Sequence, residues 1–153
     1  MNDNYAFSYH EILTKVNNKK DKPGKIEVLR KYDTNELRMF LKGSFDPKLE
    51  WLLPEGKPPY KENPAPIGTE HTWLKQEVKR MFHFLKGGNP KLSQMKRDNM
   101  FIQMLEGLSA EEAQLLVWAK DGELNKHYKG LTSNLVREAF GWDENFMRIN
   151  KWR

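Results

Sequence analysis

The sequence predicts an all-α protein, a compact multi-helix domain crossed by a long, extended, proline-rich strap. Three observations carry this expectation. Apolar residues recur at three- and four-residue spacing through most of the chain, and no segment alternates convincingly with period two. Ser, Thr or Asp stands ahead of several of these segments and Gly behind them, the residue types that close the two ends of a helix. Six of the eight prolines, Pro47, Pro54, Pro58, Pro59, Pro64 and Pro66, gather between Ser44 and Gly68. Proline lacks an amide donor and restricts the residue before it, so most of 44–68 is neither helix nor sheet interior.

Taken in order, Ile12, Leu13 and Val16 place a helix over Ser8 to Val16, with Tyr5 and Tyr9 able to join its apolar side. Asn17 to Lys25 (NNKKDKPGK) is polar, basic and interrupted by Pro23 and Gly24, and reads as a solvated loop. Ile26, Val28 and Leu29 open a short second helix that stops near Tyr32. Asp33 and Glu36 have the capping-box offset, Leu37, Phe40 and Leu41 supply the buried stripe behind them, and Gly43 is a natural stop. Phe45, Trp51, Leu52, Leu53 and Tyr60 are expected to anchor the strap on the helical body, with Trp51 largely buried. Thr69 caps a long helix running to Lys86, with Leu74, Val78, Met81, Phe82 and Leu85 inward and Gly87 and Gly88 at its end. Leu92 to Leu105 repeats the pattern through Met95, Ile102 and Leu105, and Gly107 closes it. Ser109 with Glu112 is a capping box ahead of Ala113, Leu116 and Val117. Thr132 caps Leu135, Val136, Ala139 and Phe140, Gly141 terminates, and Trp142, Phe146 and Ile149 predict a last amphipathic turn or two.

The whole chain, 1–153, reads as one domain, because a chain of 153 residues can bury roughly 70% of its unfolded surface. Hydrophobic residues are only 38%, but eight Phe, five Trp, five Tyr and seven Met each bury a large area. There is no Cys, hence neither a disulfide nor a thiolate metal site, which fits a reducing compartment. Apolar runs such as Leu115 to Ala119 fall far short of the roughly 20 residues that span a bilayer, so no membrane segment is expected. Met1 to Tyr9 is polar and does not read as a secretion signal, leaving the cytoplasm as the expected location.

Lys and Arg exceed Asp and Glu by 26 to 21, a net charge of +5, which permits nucleic-acid or acidic-protein partners. The distribution is more informative. Lys75, Lys79, His83 and Lys86 step by four, four and three, which stacks them on one face of the expected long helix, and Lys91, Lys96 and Arg97 continue beyond the Gly87-Gly88 turn. Such a ridge is suited to the phosphates of DNA or RNA. Its bland alternative is a solvated helix face, since Glu70, Glu77 and Asp98 dilute the charge. A second basic group, Lys15, Lys19, Lys20, Lys22 and Lys25, reads either as a backbone grip or as solubility chemistry, and the tail Arg148 to Arg153 offers Trp152 among cations as a base-stacking ring or a core anchor.

No catalytic site, metal site or cofactor is expected. His10, His71, His83 and His127 are scattered, and His71 beside Glu70 is the only ligand nucleus. Phosphate-loop and nucleophile-elbow motifs are lacking. Asp46 and Glu50 resemble the acidic pair of metal-dependent nucleases, but Lys48 falls between them instead of after them. A helix-turn-helix over Ser109 to Phe140 fails because Asp121 to Gly130 is far longer than that motif's turn.

Phe45 to Thr72 (FDPKLEWLLPEGKPPYKENPAPIGTEHT), Phe84 to Pro90 (FLKGGNP), Lys96 to Leu108 and Tyr128 to Phe140 together resemble a family of small uncharacterised proteins encoded by large tailed phages, notably those infecting marine cyanobacteria. The resemblance implies a phage origin and the host cytoplasm, and brings no catalytic residue with it. The expected role is therefore a non-catalytic phage accessory protein that binds nucleic acid or the machinery handling it. The alternatives are an interaction module for a host or phage protein and a metal-dependent nuclease with an unrecognised site.

Overall fold

Capping chemistry sets the first helices. Ser8 Oγ accepts from the Glu11 amide at 3.2 Å while Glu11 Oε1 accepts from the Ser8 amide at 2.8 Å, a complete capping box ahead of α1 (Tyr9–Asn18). α2 (Lys22–Lys31) begins four residues earlier than expected: Asp21 accepts from the Gly24 amide at 2.9 Å, so Pro23 and Gly24 form its first turn. Proline is at home there, where its missing amide has no intrahelical partner to lose. α3 (Asn35–Phe45) is capped by Thr34, whose hydroxyl accepts from the Leu37 amide. Asp33 instead takes both arms of Arg38, at 2.7 and 2.6 Å, and holds that guanidinium above its ordinary pKa.

The structure, a computed structural model, describes residues 7–66 and 71–149. The expected roles of Tyr5, the Thr69 cap, Glu70 and Trp152 fall outside them. Among the described residues the remaining helices are α4 (Leu74–Glu77), a 3₁₀ helix (Val78–Phe84), α5 (Gln94–Gly107), α6 (Ala110–Lys120), α7 (Leu124–His127) and α8 (Ser133–Phe140). Strand-like pairing among them is limited to three isolated bridges, Trp51 with Leu85, Thr72 with Leu108 and Trp142 with Arg148. The fold is compact and all-helical.

α6 is the centre. Glu112, Ala113, Leu115, Leu116, Val117, Ala119 and Lys120 are buried almost all round it, against α1, α3, α5 and α7. α2 bridges α1 and α8, and Arg30 ties it to the end of α8 by donating to the carbonyls of Ala139 and Glu138 at 2.9 and 3.2 Å. Met95, expected inward, is 75% exposed, since α5 turns Arg97, Phe101, Met104 and Leu105 to the core.

Gly43 does not stop α3. It is buried inside it, where a Cβ would stand 2.8 Å from Met81 Cε and 3.5 Å from Trp51 Cζ2. Its carbonyl faces Pro47 four residues on, which has no amide to give, and it accepts from Trp51 Nε1 at 2.8 Å instead. The indole is thus a half-buried anchor. After α3 the described chain has no helix from Asp46 to Pro66, and Ser44 and Phe45, expected in the strap, are the last turn of α3. Gly141 ends α8 in the left-handed conformation as expected. Beyond it, the expected amphipathic turn is a tight loop: the Asp143 carboxylate accepts from the amides of Asn145 and Met147, which depresses its pKa and folds Phe146 inward at φ 59°.

Candidate functional site

The expected long helix over 69–86 divides in two. Val78, Met81 and Phe84 are buried at a spacing of three, the period of a 3₁₀ helix, so Phe84 takes the inward place expected of Phe82 and Leu85. Phe82 is left 46% exposed. At about three residues per turn, the four-residue step from Lys79 to His83 rotates the side chain by roughly 120°, while Lys75 lies in α4 and Lys86 beyond the 3₁₀ helix, so the four are not set on one regular helix face. The turn that follows is tight: a Cβ on Gly88 would stand 2.0 Å from the Phe82 carbonyl oxygen.

The candidate basic residues accordingly separate. Lys79, Lys91 and Lys96 are exposed and form no ion pair among the described residues. Lys75 is half-buried, its ammonium 3.4 Å from the Phe7 carbonyl and 5.1 Å from the Trp73 ring centroid. Lys86 is exposed but lies 3.9 Å from Glu50, and its amide donates to the Glu50 carbonyl. His83 Nδ1 pairs with the Asn89 side chain at 3.0 Å, and its ring lies 4.0 Å from that of Phe82.

Arg97 is the largest correction. Only 5% exposed, it donates to the carbonyls of His83 at 2.9 Å, Asn89 at 3.2 Å and Leu92 at 3.1 Å, and to Gln94 Oε1 at 2.9 Å. The 3₁₀ helix and the turn after it leave carbonyls without amide partners, and a guanidinium with five donors is the side chain able to take several at once. Arg97 closes the 83–92 turn and is not on the surface.

The other basic group behaves differently. Lys25 alone is buried, donating to the carbonyls of Val16 at 3.0 Å and Lys19 at 2.7 Å and so capping the end of α1. Lys19, Lys20 and Lys22 are exposed, Lys22 beside Glu138 at 2.8 Å. Lys15 lies 4.4 Å from the Phe7 ring centroid.

Two buried charges went unread. Glu112 is 1% exposed; its amide completes half of the expected capping box with Ser109, but its carboxylate turns away to the amides of Tyr9 at 3.0 Å and Leu74 at 2.9 Å. One carboxylate in the first turn of α6 thus serves the first residues of α1 and α4. Burial raises its pKa, and the two amides, Lys75 and the His10 amide pull the other way without cancelling it. Lys120, also buried, donates to the carbonyls of Pro54 at 2.9 Å and Gly56 at 3.0 Å and pairs with Asp121, which accepts from the Gly56 amide. The signal for Lys120 was its place at the end of the most apolar helix, Leu115 to Ala119.

No group of three or more His, Cys, Asp or Glu among the described residues is placed to hold a metal ion. Asp46 is buried at the end of α3, accepting from the Lys48 amide at 3.0 Å, whereas Glu50 faces Lys86. His127 stacks on Trp118 at 3.7 Å, and His10 Nδ1 lies 3.4 Å from Tyr128 Oη, whose pKa burial pushes up to about 12. No helix among the described residues is long and apolar enough to cross a membrane.

What fold and surface define is a compact, all-helical protein with buried charges serving its backbone and lysines on its exterior. A family model of unknown function, DUF6433, matches residues 12–126, and the chain belongs to that family. No curated protein and no solved structure matches the chain.

Proposed function

We propose that the protein is a non-catalytic accessory protein that binds nucleic acid, or the machinery handling it, through its phosphates. The observation that carries this reading is the exposure of Lys79, Lys91 and Lys96 around the 83–92 turn, none of them answered by a carboxylate among the described residues. Ammonium groups left to solvent exchange counterions for phosphates at little cost, and the gain is independent of base sequence. The phage origin and host-cytoplasm location belong to the same proposal and are supported by the resemblance over Phe45 to Thr72, Phe84 to Pro90, Lys96 to Leu108 and Tyr128 to Phe140. The reading of the proline-rich stretch as a strap is supported, over 46–66, by the Trp51 anchor, by Gln94 donating to the Leu52 carbonyl at 2.8 Å and by Lys120 donating to the Pro54 carbonyl at 2.9 Å.

The test is a salt titration against labelled single- and double-stranded DNA. Three phosphate contacts give a slope of log affinity against log salt of roughly −2.7 on duplex, which K79E/K91E/K96E removes without lowering the melting temperature. No binding by the wild type at about 50 mM salt ends this reading. A second reading, a docking surface for a phage or host protein, is favoured by exposed Phe82 and Met95 in the same stretch of chain as these lysines; F82A/M95A would then abolish capture of the partner while leaving nucleic-acid affinity unchanged.

A further inference from the structure

Between residues 52 and 61 the proline-rich segment is tied to the helical body at both ends. Gln94 Nε2 donates to the Leu52 carbonyl at 2.8 Å, Lys120 donates to the Pro54 carbonyl at 2.9 Å, the Gly56 amide reaches Asp121 at 3.0 Å and the Lys61 amide reaches Glu106 at 2.9 Å. Pro58 and Pro59 fall between these ties, and the fixed φ of proline keeps the segment from collapsing onto the helix beneath it. Under them lies a pocket of about 130 Å³, roofed by Leu53, Pro54, Pro58 and Pro59 and floored by α5. Asp98, Phe101 and Ile102 form that floor, because the spacing i, i+3, i+4 sets them on one face of the helix. Its size is close to that of an engineered apolar cavity of roughly 150 Å³, which stays dry and admits a benzene ring.

We infer that this pocket binds a small apolar molecule carrying one ammonium group, of the arylalkylamine class, with its ring between the prolines and Ile102 and its nitrogen on Asp98. The carboxylate selects the ligand. Asp98 Oδ1 accepts at 2.7 Å from Gln94 Nε2, the same nitrogen that holds the Leu52 carbonyl, so the half-buried acid is fixed beside the proline-rich segment. It forms no ion pair among the described residues. Lys120 also lines the pocket but does not answer this charge, since its three ammonium protons go to the carbonyls of Pro54 and Gly56 and to Asp121. An unanswered carboxylate beside apolar walls attracts a cation more strongly than the same carboxylate in water. The walls disfavour other ligands. The three prolines bring no amides and the α5 backbone is bonded within its helix, so an anion or a peptide main chain gains little there. The site is separate from Lys79, Lys91 and Lys96, and its test is independent of the nucleic-acid reading.

The experiment follows the isoleucine methyl signals of the full chain by NMR at neutral pH during titration with benzylamine, toluene and phenylacetate, the Ile102 signal being identified by its loss in I102V. Benzylamine shifts that signal saturably with a dissociation constant of about 1 mM or tighter, and toluene binds roughly tenfold more weakly. D98N lowers benzylamine to the level of toluene and leaves toluene unchanged, whereas I102F, which fills the pocket with a ring, abolishes both. A thermal melt of each variant accompanies the titrations; if I102F melts early, D98N carries the test, because its comparison of the two ligands is made within one folded protein. Equal binding of benzylamine and toluene, or of benzylamine and phenylacetate, overturns the ammonium assignment, and so does benzylamine binding that D98N leaves unchanged. No shift of the Ile102 signal by any of the three probes at about 5 mM overturns the site itself.

Discussion

The chain has two basic stretches of similar composition, 15–31 and 75–97, and the fold uses them differently. In the second, the strongest cation is withdrawn: Arg97 sits on three backbone carbonyls, while Lys86 faces Glu50 and His83 faces Asn89. In the first, Lys25 is withdrawn onto the end of α1 and Arg30 reaches the end of α8, while Lys19 and Lys20 stay at the surface. The difference lies in the backbone beside them. A regular hairpin of two α-helices exposes few carbonyls and one lysine satisfies them; a 3₁₀ helix running into a tight turn exposes several, and they claim the guanidinium. Which cation is withdrawn therefore follows from which carbonyls beside it lack a donor.

The sharpest way to break this comparison is Arg97→Ala. Removing the donor leaves the carbonyls of His83 and Leu92 without it in a part-buried turn, Asn89 keeping the Leu92 amide, and the loss is about 2–3 kcal/mol, read by urea unfolding with an unchanged m-value. A loss below about 1 kcal/mol would return Arg97 to the surface. Lys25→Met keeps the buried stem and removes two charged hydrogen bonds, for an expected cost of about 2 kcal/mol in the same assay.

Glu112→Gln extends the rule to an acid. The amide offers one acceptor where two backbone amides need them, so the variant loses roughly 1–2 kcal/mol at neutral pH. The pH dependence has a definite sign. Because burial raises the folded-state pKa of Glu112 above its unfolded value near about 4.3, the native state binds this proton first as pH falls. Wild type therefore gains on the variant as pH is lowered through the window just above that value, and the gap is smallest above the raised pKa; a pH series of paired melts measures it. The smallest effect belongs to the exposed lysines: Lys19→Ala and Lys96→Ala each change stability by under about 0.5 kcal/mol.

What the sequence made legible was local. Thr132 and Gly141 bound α8 because a cap and a left-handed stop act within one turn, and Ser109 opens α6 for the same reason. The Ser8–Glu11 box was equally local and would have set the start of α1. The Val78–Met81–Phe84 spacing was visible too, but the apolar Phe82 and Leu85 fit an α-helical stripe as well, and only the tertiary environment chooses between periods. Pro23 and Gly24 misled because breakers in the middle of a helix are welcome at its start. Of the candidate site, the exposed lysines were legible as charges. Their grouping was not, since it depends on which carbonyls, distant in sequence, need a donor.

Glu112 also sets a timetable. Its carboxylate bonds the Tyr9 amide across 103 residues of chain and the Leu74 amide across 38. At a synthesis rate of about 5–20 residues per second, α1 leaves the ribosome roughly 5–20 s before the residue that secures its first turn exists. Until then the helix has its own Ser8–Glu11 box to hold that end together. The box is kept in the finished fold, where Glu112 adds a partner for the next amide, that of Tyr9.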